Sequence, residues 1–410
     1  MDTPEQRSSR TGSRRVAAIG LIFALAAALP GSAQERPATS LTVYAQGLAL
    51  VRAELERSLP AGTHAVRIDR LPTSVEQASL VVLNGGTVLH GVRGYRTYEG
   101  GSAGGASMVL DLEVSEPIQT LRIAYLTGGL DWSASYTMQV APDERSARID
   151  GYASITNGSG ARFADAELQL LAGDVNIASP RRQVYRAMDA AAAQVVSAAP
   201  EVLEEAFSGY HVYTVSEPLT LEAAGSRRIR LMGGDAIAVV KEHVLTGGVS
   251  PRQRQAEPQP VAVGIRYRVA RAPETELGAV PLPGGMVRIY KPDDAGRLQL
   301  LGMARIGNSP AGQELVLPVG RAFDVTAVRV QTGFRRVADG ARESDWSLKL
   351  TNASDQQTTV QVIERIGGDW TILSSSHDPQ IMSAAAVRFD VMVPAGGEVE
   401  LRYSVSIRNQ

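Results

Sequence analysis

The 410-residue chain contains no cysteine. That absence removes disulfides, thiolate metal sites, cysteine nucleophiles and the lipidated cysteine of bacterial lipoproteins. Lysine is scarce too, with only Lys241, Lys291 and Lys349, and no glycine-rich loop ends in Lys-Ser or Lys-Thr as a phosphate-binding loop does. Nucleotide-dependent chemistry is disfavoured on that ground. Aromatic residues make up 5% of the chain, too few for an extended sugar-stacking platform or for the aromatic girdles of an outer-membrane barrel. Charge of one sign is missing as well: 41 basic residues meet 43 acidic ones, and no stretch is basic enough to neutralise a row of phosphates. Nucleic acid is therefore not an expected partner.

What is present is ordinary globular composition, 44% hydrophobic and 20% charged, over a length that suggests two to three domains. Arg14 and Arg15 precede an apolar run from Val16 to Leu29, followed by Pro30, Gly31, Ser32 and Ala33. This is the layout of a secretion signal, residues 1–33, with cleavage expected after Ala33. As a helix the 14-residue run would measure about 21 Å, short of the roughly 30 Å hydrocarbon core of a bilayer. No later stretch approaches the length of a membrane-spanning helix, so a periplasmic or secreted protein without a transmembrane span is the expectation.

Beyond the signal, period-two alternation dominates. Val399, Leu401, Tyr403, Val405 and Ile407 alternate with Glu400, Arg402, Ser404, Ser406 and Arg408, as in a strand that buries one face. Pro60-Ala-Gly62, Pro283-Gly-Gly285 and Pro394-Ala-Gly-Gly397 read as hairpin turns between such runs. The expected fold class is all-β, with multiple antiparallel β-sandwich modules. The expected divisions are an N-terminal β domain over 34–120, a central sandwich region over 121–180 and 209–335, and a C-terminal module over 336–410. Residues 181–208, with Ala190 to Ala193 and the Leu203-Glu204-Glu205-Ala206 tail, read as a helical or disordered insert. Ser250 to Pro260 reads as a long hairpin loop and Gly100 to Gly105 as a shorter flexible loop.

The chain also echoes itself. Thr156-Asn157-Gly158-Ser159 recurs as Thr351-Asn352-Ala353-Ser354, and each copy leads to a Gly-Asp pair at the same spacing, Gly173-Asp174 and Gly368-Asp369. Asn and Ser side chains bond nearby backbone, so two similar modules, each with an Asn-centred turn, would explain the repeat. Both copies fit the Asn-x-Ser acceptor pattern, which we read as turn chemistry without a sugar.

The sequence nominates no catalytic, cofactor-binding or metal-ligating residue. His64, His90, His211, His243 and His377 are scattered, without the spacing that sets two ligands on one helical face. Gly158-Ser159-Gly160 lacks the spacing of a nucleophile elbow. Each tryptophan follows an aspartate, at Asp131-Trp132, Asp345-Trp346 and Asp369-Trp370, and core anchoring is the plain reading. A hydrolase would need only two acids about 5 to 10 Å apart. Asp131, Asp165, Asp174 and Asp369 are the acids to watch for one acting on glycan, although acids near turns more often solvate the surface.

Several blocks in order resemble one known family. Leu41-Thr-Val-Tyr-Ala-Gln-Gly-Leu-Ala-Leu-Val-Arg52, Tyr125-Leu-Thr-Gly-Gly-Leu-Asp-Trp-Ser-Ala-Ser-Tyr136, Leu171-Ala-Gly-Asp-Val175, Pro283-Gly-Gly-Met-Val-Arg-Ile-Tyr290 and Gly320-Arg-Ala-Phe-Asp324 are similar to blocks of the bacterial domain of unknown function 4139 family, whose relatives include mucoidy inhibitor A-like proteins. The resemblance spans nearly all of residues 41 to 408. It implies no enzymatic activity, cofactor or catalytic residue. The chain lacks the long heptad-repeating helix of the mucoidy inhibitor A-like members, and with it the basis for a coiled-coil partner role. The expected function is a non-catalytic exported envelope protein that binds or scaffolds an envelope protein or a surface polysaccharide; the alternative is the glycan hydrolase above.

Overall fold

The computed structural model describes residues 38–84, 86–98, 105–173, 175–176, 202–249, 257–337 and 340–408. The signal, most of the insert and Asp174 lie outside them. The described chain is nearly all strand, folded into several sheets, with one single-turn helix. Among the described residues no helix is long and apolar enough to cross a membrane.

In chain order the first half contributes β1 (Thr39–Tyr44), β2 (Leu48–Leu59), β3 (Gly62–Leu71), β4 (Val75–Val82), β5 (Gly86–Tyr98), β6 (Gly105–Val114), β7 (Ile118–Gly128), β8 (Leu130–Val140), β9 (Ser146–Asn157), β10 (Phe163–Ala172), β11 (Val202–Phe207), β12 (Tyr210–Val215), β13 (Leu219–Leu221) and the 25-residue β14 (Gly225–Val249). The second half contributes β15 (Gln259–Val269), helix α1 (Glu276–Ala279), β16 (Gly285–Pro292), β17 (Leu298–Ile306), the 22-residue β18 (Leu315–Arg336), β19 (Ala341–Asn352), β20 (Thr358–Ile366), β21 (Asp369–Ser375), β22 (Gln380–Ser383), β23 (Ala386–Val393) and β24 (Glu398–Arg408). The expected divisions at 120/121 and 335/336 fall inside β7 and at the end of β18.

The pairings repeat. In the first module β1 forms a hairpin with β2 and runs parallel to β10; β2 pairs β7, β8 pairs β9, β10 pairs β13, and β9 pairs the start of β14. In the second, the end of β14 forms a hairpin with β15 and runs parallel to β20; β15 pairs the start of β18, whose end pairs β19, while β20 pairs β23 and β19 pairs β24. Each of these pairings of the first module has its counterpart in the second, with β18 standing for β7 and β8 joined; the β4–β7, β10–β12 and β8–β16 pairs belong to the first module alone. The two echoed asparagines occupy the same place, the last residue of β9 and of β19. The duplication suggested by the four-residue echo is therefore a duplication of topology.

Two apolar cores follow. One includes Leu41 of β1, Ile123 of β7, Tyr136 of β8 and Leu168 of β10; the other gathers Leu245, Trp346, Val362, Phe389 and Tyr403. Strand β24 shows how the pattern produces the layer, since Leu401, Tyr403, Val405 and Ile407 are buried and Glu400 and Arg402 are exposed to solvent.

Each asparagine locks its module where the chain leaves one strand for another that does not pair with it: β9 and β10 lie in different sheets, whereas β19 and β20 lie in the same 13-stranded sheet. Asn157 Nδ2 donates to the carbonyls of Ala161 (2.7 Å), Leu221 (3.4 Å) and Glu222 (2.9 Å), while its Oδ1 accepts from Ser159 N and Oγ. Asn352 Nδ2 donates to Gln356 (2.7 Å), Val393 (3.4 Å) and Pro394 (3.2 Å), and its Oδ1 accepts from Ser354 N and Oγ. Both asparagines are buried, so these bonds satisfy carbonyls that would otherwise be orphaned where the ladder stops.

Several expectations change. Pro60-Ala-Gly62 and Pro394-Ala-Gly-Gly397 are not hairpin turns: β2 and β3 belong to different sheets, and β23 pairs β20 whereas β24 pairs β19. Pro283-Gly-Gly285 leads into β16 from a bridge at Leu282, not from a partner strand. Proline ends a ladder and glycine turns the chain in either setting, so the flanking alternation is the same for a hairpin and for a connection between strands that do not pair. The Leu203-Glu204-Glu205-Ala206 tail is not helical; it lies in β11, paired along its length with β12, where Glu204 meets His211 Nδ1 at 2.7 Å. Tertiary pairing overrides its helical composition. The hairpin reading at 250–260 agrees with the antiparallel β14–β15 pair, and β5 and β6, on either side of 100–105, also pair antiparallel. The parallel pairs β1–β10, β14–β20 and β8–β16 leave no trace in the alternation.

Asn157→Ala or Asn352→Ala leaves two or three carbonyls unpaired, each costing about 1–3 kcal/mol. Each substitution is expected to lower stability by about 3 kcal/mol in chemical denaturation. Asn→Asp, which keeps the acceptor and loses the donor, is expected to be no better than Ala. A loss within experimental error for either Ala variant would contradict the locking role.

Candidate functional site

A groove of about 470 Å³ lies on the outer face of β19, β24 and β21. Alternation places Asp345, Ser347, Glu400, Arg402 and Ser404 on that face, because the opposite parity, Trp346, Leu348, Leu401 and Tyr403, fills the core. Ser374 and Ser375 join from β21, with Ser376 following, so five serines line the groove. Gly333 on β18 admits the Asp345 carboxylate, since a Cβ there would collide with Oδ2.

Both carboxylates of the groove are engaged. Asp345 accepts from Arg335 Nη1 at 3.3 Å and from Ser404 Oγ. Glu400 accepts from Ser347 Oγ at 2.6 Å and pairs with Arg402. The hydrogen bonds from Arg402 and Ser347 hold the Glu400 carboxyl below the usual glutamate range. An acid held down in this way is a hydrogen-bond acceptor, not a proton donor at neutral pH. The groove therefore offers hydroxyls, fixed carboxylates and a guanidinium to a polar ligand.

The acids singled out from sequence do not converge. Asp131, on β8, accepts from Gly47 N at 3.3 Å; burial pushes its carboxyl up against the opposing pull of the Trp132 and Gly47 amides. Asp165 sits at the β10 irregularity with a left-handed φ of 44° and exchanges hydrogen bonds with Thr220 of β13. Asp369 opens β21 in the second module. Asp174 lies outside the described residues. Among the described residues, no three His, Asp or Glu side chains are grouped as a metal ion would need. His64, His211 and His377 bond Pro60 O, Glu204 and Ser376 respectively, and burial lowers the pKa of His243. Trp132 and Trp346 are core residues as expected, and Trp370 is half-buried.

Sequence reasoning missed the charged groups inside the second core. Arg329 Nε and Nη2 bond both oxygens of Glu364 at 3.0 and 3.1 Å, its guanidinium lies 3.5 Å from the Trp346 ring centre, and Nη2 reaches Tyr403 Oη at 3.3 Å. Glu364 is fully buried; burial pushes its carboxyl up while Arg329 pulls it down. Gly247 leaves room for it, as a Cβ there would strike the carboxylate. A second buried guanidinium, Arg271, donates to the carbonyls of Leu277, Pro310 and Val280 and to Ser309 Oγ, holding the connections around α1. Asp345 was legible in one respect: it stands seven residues before Asn352, as Asp150 stands before Asn157.

Compared with known proteins, the chain matches no family model and no curated protein.

Removing one partner of a buried ion pair strands the other, at about 3–5 kcal/mol. Arg329→Met is therefore expected to be strongly destabilising in a melting experiment. Arg329→Met combined with Glu364→Leu is expected to recover most of that loss. A double variant as unstable as the single one would contradict the pairing.

Proposed function

We propose that this chain is an exported, non-catalytic cell-envelope protein of the domain of unknown function 4139 kind, in which two like β modules bind or scaffold another envelope component. The observation that carries this reading is the state of the groove on β19, β24 and β21. Its carboxylates are already held by Arg335 and Arg402, and its lining of serine hydroxyls suits recognition of a polar surface more than bond cleavage. Function must be argued from a site, and this site has the chemistry of binding. The signal-like N-terminus supports the periplasm or the exterior as the working compartment.

The hydrolase alternative asks for two carboxylates facing one space and free to act. Among the acids singled out from sequence, Asp131 and Asp369 stand in different modules and Asp165 is bound to Thr220; the two that do share a groove, Asp345 and Glu400, are each already engaged by an arginine and a serine.

In-cell crosslinking in the native host, with identification of the captured molecules, tests the proposal alongside a panel of glycans and peptides offered as substrates. The expected result is capture of a discrete envelope component and an uncleaved panel. Cleavage that disappears in Asp345→Asn or Glu400→Gln would overturn it, as would a protein that captures nothing.

A further inference from the structure

The outer face of the first module stands where the groove stands in the second, yet it carries different charge. Registered across β17, β16, β8, β9 and β14, one row reads Arg305, Met286, Ser135, Tyr152, Arg230. Neighbouring rows on the same face add Arg288 beside Thr137 and Asp150, and Arg228 beside Ser154 and Ser133. By register, Asp150 corresponds to Asp345, Arg230 to Arg402, and Arg228 to Glu400. The same position that holds an acid in one module holds a guanidinium in the other.

The charges on this face do not cancel. Asp150 takes both Arg148 (2.9 Å) and Arg230 (3.2 Å), with Asp235 and Glu276 as more distant partners of the same two arginines. Arg228, Arg288 and Arg305 are exposed and have no carboxylate partner among the described residues. Arg228 lies over the Tyr152 ring, 3.9 Å from its centre. Arg288 on β16 and Arg228 on β14 are three strand spacings apart across the sheet, about 14 Å, and lie level with Thr137 and Ser133, four residues apart along β8. Between these two basic rims β8 presents hydroxyl and amide side chains, Ser133, Ser135, Thr137 and Gln139, whose alternate neighbours Trp132, Tyr136 and Met138 are buried.

We infer that this face binds an acidic polysaccharide laid across the strands. Guanidinium forks recognise carboxylates in a bidentate manner, the β8 hydroxyls and amide meet sugar hydroxyls, and the spacing of the rims demands an extended polyanion in place of a single anion. The inference rests on the binding role proposed above and names its ligand class.

The test uses the purified protein, polygalacturonate as the acidic polymer, dextran as the neutral one, and phosphatidylglycerol vesicles as a lipid source of anionic groups. Binding to polygalacturonate alone is expected, weakening as salt rises. The combined variant Arg228→Gln, Arg288→Gln, Arg305→Gln is expected to bind about tenfold or more weakly with a shallower salt dependence, because charge-assisted contacts are lost. These arginines hold no ion pair among the described residues, so its melting temperature should stay near that of the parent; Lys349→Gln, on the second module, serves as the control that leaves binding unchanged. Equal binding to dextran, preference for the vesicles, no binding at low salt, or full binding by the triple variant would each overturn the inference. If polygalacturonate is ignored while crosslinking still captures an envelope component, only the ligand class falls and the binding role stands.

Discussion

The side-chain amide of Asn157 reaches three carbonyls from two parts of the chain, and Asn352 repeats the arrangement 195 residues later. The chain must pass between strands that do not pair with each other, and at each such connection the ladder stops and leaves backbone carbonyls without partners. A buried asparagine at the end of β9 or β19 closes that gap from the neighbouring strand. The strand that follows each connection, β14 or β24, then starts in register beside the asparagine's own strand. The rest of each module is laid out from that point.

Because each lock joins one inward-facing side chain to backbone in a geometry repeated within the chain, the outward faces of the two modules are free to differ. Positions related by the repeat carry Arg228 and Glu400, or Tyr152 and Ser347. One face becomes a cationic platform and the other a hydroxyl-lined groove with its acids neutralised. Sharing the 25-residue β14 between the modules couples them: its first part belongs to the β9 sheet and its last part pairs β15 and β20. Glu144 adds to this by accepting from Lys241 of β14, Tyr267 of β15 and Lys291 of β16, so that two of the three lysines meet one carboxylate.

The sequence was informative wherever a signal is local. Alternation at Val399 to Ile407 located a strand and its buried face, and Asn157 and Asn352 announced their turns because Asn and Ser bond backbone within a few residues. It was silent where partners are distant. Arg329 finds Glu364 and Tyr403 at separations of 35 and 74 residues, and no local pattern records that meeting. Pro394-Ala-Gly-Gly397 looks the same in a hairpin and in a connection between unpaired strands, and β11 has a helical composition that pairing with β12 overrides. The cationic face was invisible for a related reason: Arg228, Arg288 and Arg305 come from three strands and become neighbours only through register.

The most direct test of the account is the hydrogen-exchange rate of the Asn157 and Asn352 side-chain amides, measured by NMR on protein labelled at asparagine. Both are predicted to be strongly and similarly protected, with rates set by opening of the surrounding strands. Exchange of either amide at the rate of an exposed asparagine would contradict the claim that each module is locked by its buried asparagine.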